Sequence, residues 1–182
     1  MQRKDKESRG ALLERCLSGF IEAGSIDVSL DHLAEVAETS KRMLIHYFGD
    51  RESLEEQAMT LLEGRLREKF VPSNFPPGAG AEEILQALWS LSTAPESRGV
   101  LLLTMDLSRR AWNGSARARA FYEEQQQLWE ELLQRYLPDE DVVRDILQSF
   151  QGAVLAYLVT GDAGQGRRMI NRLCRQLRAS KH

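Results

Sequence analysis

Between Ser40 and Leu54 the chain reads Ser-Lys-Arg-Met-Leu-Ile-His-Tyr-Phe-Gly-Asp-Arg-Glu-Ser-Leu, a stretch that leaves the backbone very few choices. The Ser40 hydroxyl can take up N–H groups left free at a helix start, so a helix is predicted from Lys41. Gly49 stops it. Asp50 then stands where an N-cap belongs, with Arg51 and Glu52 in the first turn and Leu54 as the first apolar anchor of the next helix. Upstream, Ser29 can cap a short helix from Leu30 to Ala37, whose Leu30, Leu33, Ala34 and Ala37 share one face at helical spacing. Two short helices joined through Glu38 and Thr39 make a helix-turn-helix. In that motif the second helix lies in the major groove of a duplex with its N-terminal side chains nearest the base edges. Here those side chains are Lys41, Arg42 and Met43.

The rest of the chain reads as helix throughout, an all-α fold class. A first helix is predicted from about Lys6 to Ala23, with Leu13, Cys16, Leu17, Phe20 and Ile21 on its apolar face. The helix opened by Asp50 is predicted from Arg51 to about Phe70 and serves as a connector. Residues 71–80, Val-Pro-Ser-Asn-Phe-Pro-Pro-Gly-Ala-Gly, carry three of the five prolines and form the clearest boundary. The domains expected are residues 1–54, the helix-turn-helix domain, and residues 71–182, a helical second domain. In the latter, helices are predicted over 81–93, 95–111, 115–137, 139–160 and 165–179, with breaks at Pro95, Asn113-Gly114, Pro138 and 161–164. Strand-like alternation is absent, as are internal repeats and a sustained heptad pattern.

With 182 residues and 42% hydrophobic content the chain can bury one large core or two small ones. No run of eighteen apolar residues occurs, so no bilayer-crossing segment is expected, and the charged N-terminus lacks the apolar region of a signal peptide. A cytoplasmic protein without membrane contact is expected. The two cysteines, Cys16 and Cys174, have no metal-ligand spacing and read as buried thiols. Only His32, His46 and His182 supply imidazoles, and neither a nucleophile elbow nor a phosphate-binding glycine loop occurs. The carboxylate pairs Glu123-Glu124 and Glu130-Glu131 lie on a polar helix face as ordinary solvated charges. Neither enzyme nor metal or cofactor carrier is expected. The formal charge of −3 argues against indiscriminate binding of polyanions. Residues 1–50 hold seven Lys or Arg against nine Asp or Glu, so binding to a duplex would rest on the placement of a few cations and on two linked reading heads.

Residues 7–54 closely resemble the N-terminal domain of TetR-type transcriptional regulators. The resemblance rests on a long first helix ending near Gly24, the Leu30-x-x-Leu33-Ala34 core, Thr39-Ser40-Lys41, the run Leu44-x-His46-Tyr47-Phe48, and Arg51-Glu52-x-Leu54 at the head of the fourth helix. It implies a three-helix DNA-binding domain followed by a helical ligand-binding and dimerisation domain. It further implies a homodimer on a near-palindromic double-stranded operator, acting as a repressor, with DNA affinity modulated by a small apolar effector. Two residues depart from the family pattern. Glu38 occupies a turn position usually held by glycine, where a left-handed backbone costs a non-glycine residue about 1–2 kcal/mol. Arg42 also stands where glycine is frequent, and its guanidinium could read a guanine through O6 and N7.

The DNA-binding residues expected are Ser29, Ser40, Lys41, Arg42, Met43, His46, Tyr47 and Arg51. Lys41 and Arg42 would meet bases or phosphates, Met43 a thymine methyl, and His46 or Tyr47 a phosphate. Arg51 would hold a phosphate at the helix N-terminus, while capping alone also explains Ser29 and Ser40. Arg3, Lys4, Lys6 and Arg9 read either as an arm toward the minor groove or as a frayed terminus. Trp89, Met105, Phe121, Trp129 and Tyr157 are the residues expected to border an effector, though each also suits plain core. The predicted 139–160 helix carries an apolar band from Val142 to Leu158 that is wider than one core contact needs. With Met169, Ile170, Leu173, Cys174 and Leu177 it reads as a dimer seam through the last two helices, or else as intramolecular core. The alternative function is a dimeric helical module that binds small molecules and has little affinity for DNA.

Overall fold

The computed structural model describes residues 2–69, 71, 74–75 and 78–179, and the side chains of 8–177 within those ranges. The expected end of the fourth helix at Phe70, four residues of the Pro/Gly boundary, His182 and the side chains of Arg3, Lys4 and Lys6 lie outside the described residues. Among those described there are helices α1 (Gln2–Ala23), α2 (Leu30–Val36), α3 (Lys41–Phe48), α4 (Arg51–Lys69), α5 (Ala81–Ser92), α6 (Arg98–Trp112), α7 (Ala116–Gln134), α8 (Glu140–Thr160) and α9 (Ala163–Ala179), with a 3-10 turn at Pro95–Ser97 before α6. The all-α reading holds, and the helix limits fall close to those the capping residues predict.

Local chemistry sets those limits. Ser29 Oγ accepts from the His32 N–H at 3.1 Å, Ser40 Oγ from the Met43 N–H at 3.2 Å, and Asp50 Oδ1 from the Ser53 N–H at 2.8 Å. The Ser53 backbone bond is the largest of the causes that lower the exposed Asp50 carboxyl from its ordinary value, with bonds from the Ser53 side chain and the Glu52 backbone adding to it. The α2–α3 turn is a complete Schellman motif, in which Thr39 N–H donates to Ala34 O (2.9 Å) and Glu38 N–H to Glu35 O (3.0 Å). Such a motif demands a left-handed residue after the cap, and Glu38 supplies it at φ 52°. Arg15 of α1 supports the turn by donating to Ala37 O and to the Glu38 carboxylate.

The chain divides into two compact units, Met1–Glu68 with Leu102–Glu123, and Lys69–Leu101 with Glu124–His182. The stretch 102–123, however, belongs with the N-terminal helices and not with the rest of 71–182, for reasons that only side-chain pairing reveals. Arg117 of α7 donates to Glu63 of α4 at 2.8 Å, and Arg109 and Arg110 of α6 pair with Asp27. Gly24, at φ 64°, lies so near α6 that an added Cβ would stand 2.7 Å from the Leu102 Cβ.

In the first unit the core is Cys16, Leu17 and Phe20 of α1, Leu33 of α2, Leu44 and Phe48 of α3, Leu54 and Leu62 of α4, and Leu103, Leu107 and Phe121. Burial raises the Cys16 thiol to about 11, which leaves it protonated and inert at neutral pH. In the second unit α9 packs on both α5 and α8. Trp89 anchors that packing: it is 2% exposed, sits edge-on to Phe150 and Tyr157, and lies directly against Gly166. The helix α8 departs from one expectation, since by length and mean hydropathy it is apolar enough to span a bilayer. Its apolar residues are unevenly used. Val143, Ile146, Leu147 and Phe150 are buried, whereas Leu155 and Val159 are 48% and 78% exposed.

A candidate nucleic-acid interface

Helix α3 splits cleanly into two faces. Leu44 and Phe48, four apart, are buried and hold the helix to its unit, while Lys41, Arg42, Met43, Ile45 and His46 are exposed. Tyr47 is half-buried and meets His46 edge-on, with ring centroids 5.4 Å apart. Ser29 and Ser40 are exposed at the N-termini of α2 and α3, and both hydroxyls are engaged as caps. Ser29, Ser40, Lys41, Arg42, Met43, His46 and Tyr47 therefore lie on the two short helices and their N-caps, with the cations of α3 at its first two positions.

The cations differ in how free they are. Arg42 has no hydrogen bond or ion pair among the described residues. Lys41 donates to Asp31 of α2 at 3.3 Å, but both side chains are more than half exposed, so the pair is weak and readily exchanged. Arg51 is committed inward. Its Nη2 donates to Ile26 O at 2.7 Å and its Nε to Glu55 at 2.6 Å. The Glu55 partner, one helical turn on, is visible in the sequence as an Arg/Glu pair at i, i+4; the Ile26 carbonyl is not. Arg9 sits at the other end of α3, its guanidinium 5.7 Å from the centre of the Phe48 ring and bonded to Gln57.

No sequence motif singles out Asp106, which gathers five bonds. It accepts from Ser25 Oγ (2.9 Å), Ile26 N–H (3.2 Å), Arg109 Nη2 and Nε (2.7 and 3.2 Å) and Arg110 Nε (3.4 Å). Burial alone would raise its carboxyl. The bonds from Arg109, Ser25 and Ile26 and the charge of Arg110 outweigh that and hold it below the usual carboxylate range. The Asp106, Arg109, Arg110 spacing is legible as helical charge pairing, but nothing local points to residues 25–27.

The five residues expected to border an effector belong to both units. Trp89, Trp129 and Tyr157 lie in the second unit, Met105 and Phe121 in the first. A cavity of about 680 Å³ in the first unit is lined by residues 26–29, by Arg51, Glu52, Glu55, Glu56 and Met59 of α4, and by Arg110, Ser115, Arg117 and Ala118. It is a polar space with arginine and carboxylate walls. Within the second unit, the Trp89 indole N–H is buried with no hydrogen-bond partner among the described residues, and the Tyr157 hydroxyl donates to Thr93 O at 3.3 Å. Among the described residues no three His, Cys, Asp or Glu side chains gather as a metal site.

No protein-family model and no curated protein sequence matches the chain. Solved structures do. A Rhodococcus sp. protein described as a TetR-family transcriptional regulator superposes with a TM-score of 0.71 at 17% identity, covering 92% of this chain and 96% of that one. A TetR-family regulator from Streptomyces coelicolor gives 0.70 at 19% identity over 96% and 82% of the two chains. A transcriptional regulator from Pseudomonas aeruginosa gives 0.67 at 17% identity over 96% and 91%. With the order α1 to α9 and the α2–α3 turn already in hand, this chain has the fold of the TetR-family transcriptional regulators.

Proposed function

We propose that the protein is a DNA-binding transcriptional regulator that reads a near-palindromic operator as a homodimer and represses transcription from it. The observation that carries this reading is Arg42, exposed and unpaired among the described residues, at the N-terminal end of a helix whose opposite face is buried. A free guanidinium beside Ser40, Lys41 and Met43 suits base-edge and phosphate contact in a major groove. Met43, more than a third exposed, offers an apolar contact for a thymine methyl. His46 and Tyr47 lie one turn further along α3 and would face the phosphate backbone.

Dimerisation through α8 and α9 is supported by the apolar surface that α8 leaves open at Leu155 and Val159. A two-fold pairing there would cover a patch that a single chain exposes to water. Two linked heads also suit a reading domain without a net positive charge, since the second head binds at high effective concentration once the first is in place. A small apolar effector is placed by this reading against Trp89, Trp129 and Tyr157 in the second unit. It would alter DNA affinity by binding the two forms of the dimer unequally.

Selection of binding sites from a random duplex library at near-physiological salt, followed by anisotropy on the winning sequence, tests the proposal. The expected result is a near-palindrome with half-site centres about 34 Å apart or a multiple of that. No enrichment at any salt would reject it in favour of a dimeric small-molecule-binding module.

A further inference from the structure

The segment between α1 and α2 is a short loop that sets where the helix-turn-helix begins, and one residue in it is held through the peptide groups on both of its sides. The Ile26 N–H donates to Asp106 of α6, and the Ile26 carbonyl accepts from Arg51 at the head of α4. Its side chain is buried. Ser25 adds a second bond to the same Asp106 oxygen, and the Asp27 N–H donates back to Ser25 Oγ at 3.0 Å. Arg109 and Arg110 then join the carboxylates of Asp106 and Asp27 into one cluster. Ile26 thus has its backbone donor and acceptor engaged, and Asp27 its carboxylate. Three residues past Ile26, Ser29 caps α2.

We infer that Asp106, acting with Arg51 as a clasp on the backbone either side of the Ile26 Cα, is a positioning residue for DNA reading. The inference rests on the proposed DNA-binding function. Asp106 lies on α6, outside the helix-turn-helix, and as an anion it has no favourable contact to make with phosphate. Its effect runs through the loop. A pinned loop fixes the direction in which α2, and α3 packed on it, leave α1, so fewer conformations are lost when the unit docks. Releasing the loop therefore weakens binding without removing a DNA contact. This signature differs from that of a phosphate-contacting cation, whose loss makes the salt dependence shallower.

The experiment compares wild type, Asp106→Ala and Asp106→Asn for operator affinity across a salt series and for amide hydrogen exchange, with thermal melts to check folding. Asn keeps an oxygen for Ser25 and Ile26 but loses the charge that holds the arginines. The expected result for Asp106→Ala is a loss of affinity of about tenfold, a size usual for coupling between separated sites, with an unchanged salt slope. The Ile26 amide should exchange faster while Leu44 in α3 stays protected, and Asp106→Asn should fall between the two. Wild-type affinity in Asp106→Ala despite fast exchange at Ile26 overturns the inference. So does a loss of affinity that comes with faster exchange throughout the unit, since that is general destabilisation. If wild type itself binds no duplex, the DNA-binding reading fails and takes the inference with it, a pattern distinct from equal binding by wild type and variant.

Discussion

Glu38 carries a backbone conformation that its side chain does nothing to favour. The Schellman bonds require the left-handed φ of 52°, and the ion pair with Arg15 is solvent-exposed on both sides. Comparing Glu38→Gly with Glu38→Ala separates these effects, because both lose the pair and only Gly relieves the strain. The glycine variant is expected to be more stable than the alanine variant by about 1 kcal/mol in urea unfolding. Equal stabilities would mean that the turn has relaxed away from the left-handed region. The arginines of this region also part company. Arg42→Ala should leave unfolding within about 0.5 kcal/mol of wild type while lowering operator affinity and flattening its salt dependence or relaxing one base preference. Arg51→Ala should instead cost about 1–2 kcal/mol of stability, since it leaves Ile26 O and Glu55 without their donor. A stable Arg51→Ala protein with weakened DNA binding would return Arg51 to a phosphate-contacting role.

The helices begin and end where short-range chemistry tells them to, which is why α2, α3 and α4 are legible within a residue at their starts. A cap and the N–H it satisfies are two or three residues apart, so Ser29, Ser40, Gly49 and Asp50 carry the information locally. What a helix packs on is a different matter. Gly166 in α9 reads in the sequence as a weak point near a helix start, yet it is the floor beneath the Trp89 ring, and a Cβ there would overlap that ring. Gly166→Ala is therefore expected to push α9 from α5 and to cost about 1–3 kcal/mol in equilibrium unfolding. An unchanged unfolding midpoint would show that the ring can swing aside. Trp89, Trp129 and Tyr157 are effector candidates by residue type alone, and type does not distinguish a wall of a cavity from the filling of a core.

Two properties belong to the molecule as a whole. Its acid stability is expected to depend in part on Asp106, which ties α6 to a loop some eighty residues earlier. The folded carboxyl titrates below the ordinary 3.8, so its contribution is present above the unfolded value and is lost as pH falls through the folded one. Unfolding free energy should be flat in this respect above about pH 5 and decline below about pH 4, with a shallower acid limb in Asp106→Asn. An identical acid limb in the variant would remove Asp106 from that role. The oligomer is argued from α8. Val159→Glu is expected to convert a dimer to a monomer in light scattering while leaving the helical circular dichroism intact, because Val159 is 78% exposed in the single chain. A dimer that survives the charge would move the seam elsewhere. The all-helical architecture, the helix limits and the residues presented by α3 were written in the amino-acid order, since periodicity and capping act over a few neighbours. The long-range assignments were decided by tertiary structure. Residues 102–123 join the N-terminal helices, Arg51 donates to a carbonyl 25 residues away, Asp106 accepts from Ser25 81 residues earlier, and Arg42 pairs with none of the described residues. No local rule links partners so far apart, because which charge finds which acceptor depends on how the buried faces of the helices have packed.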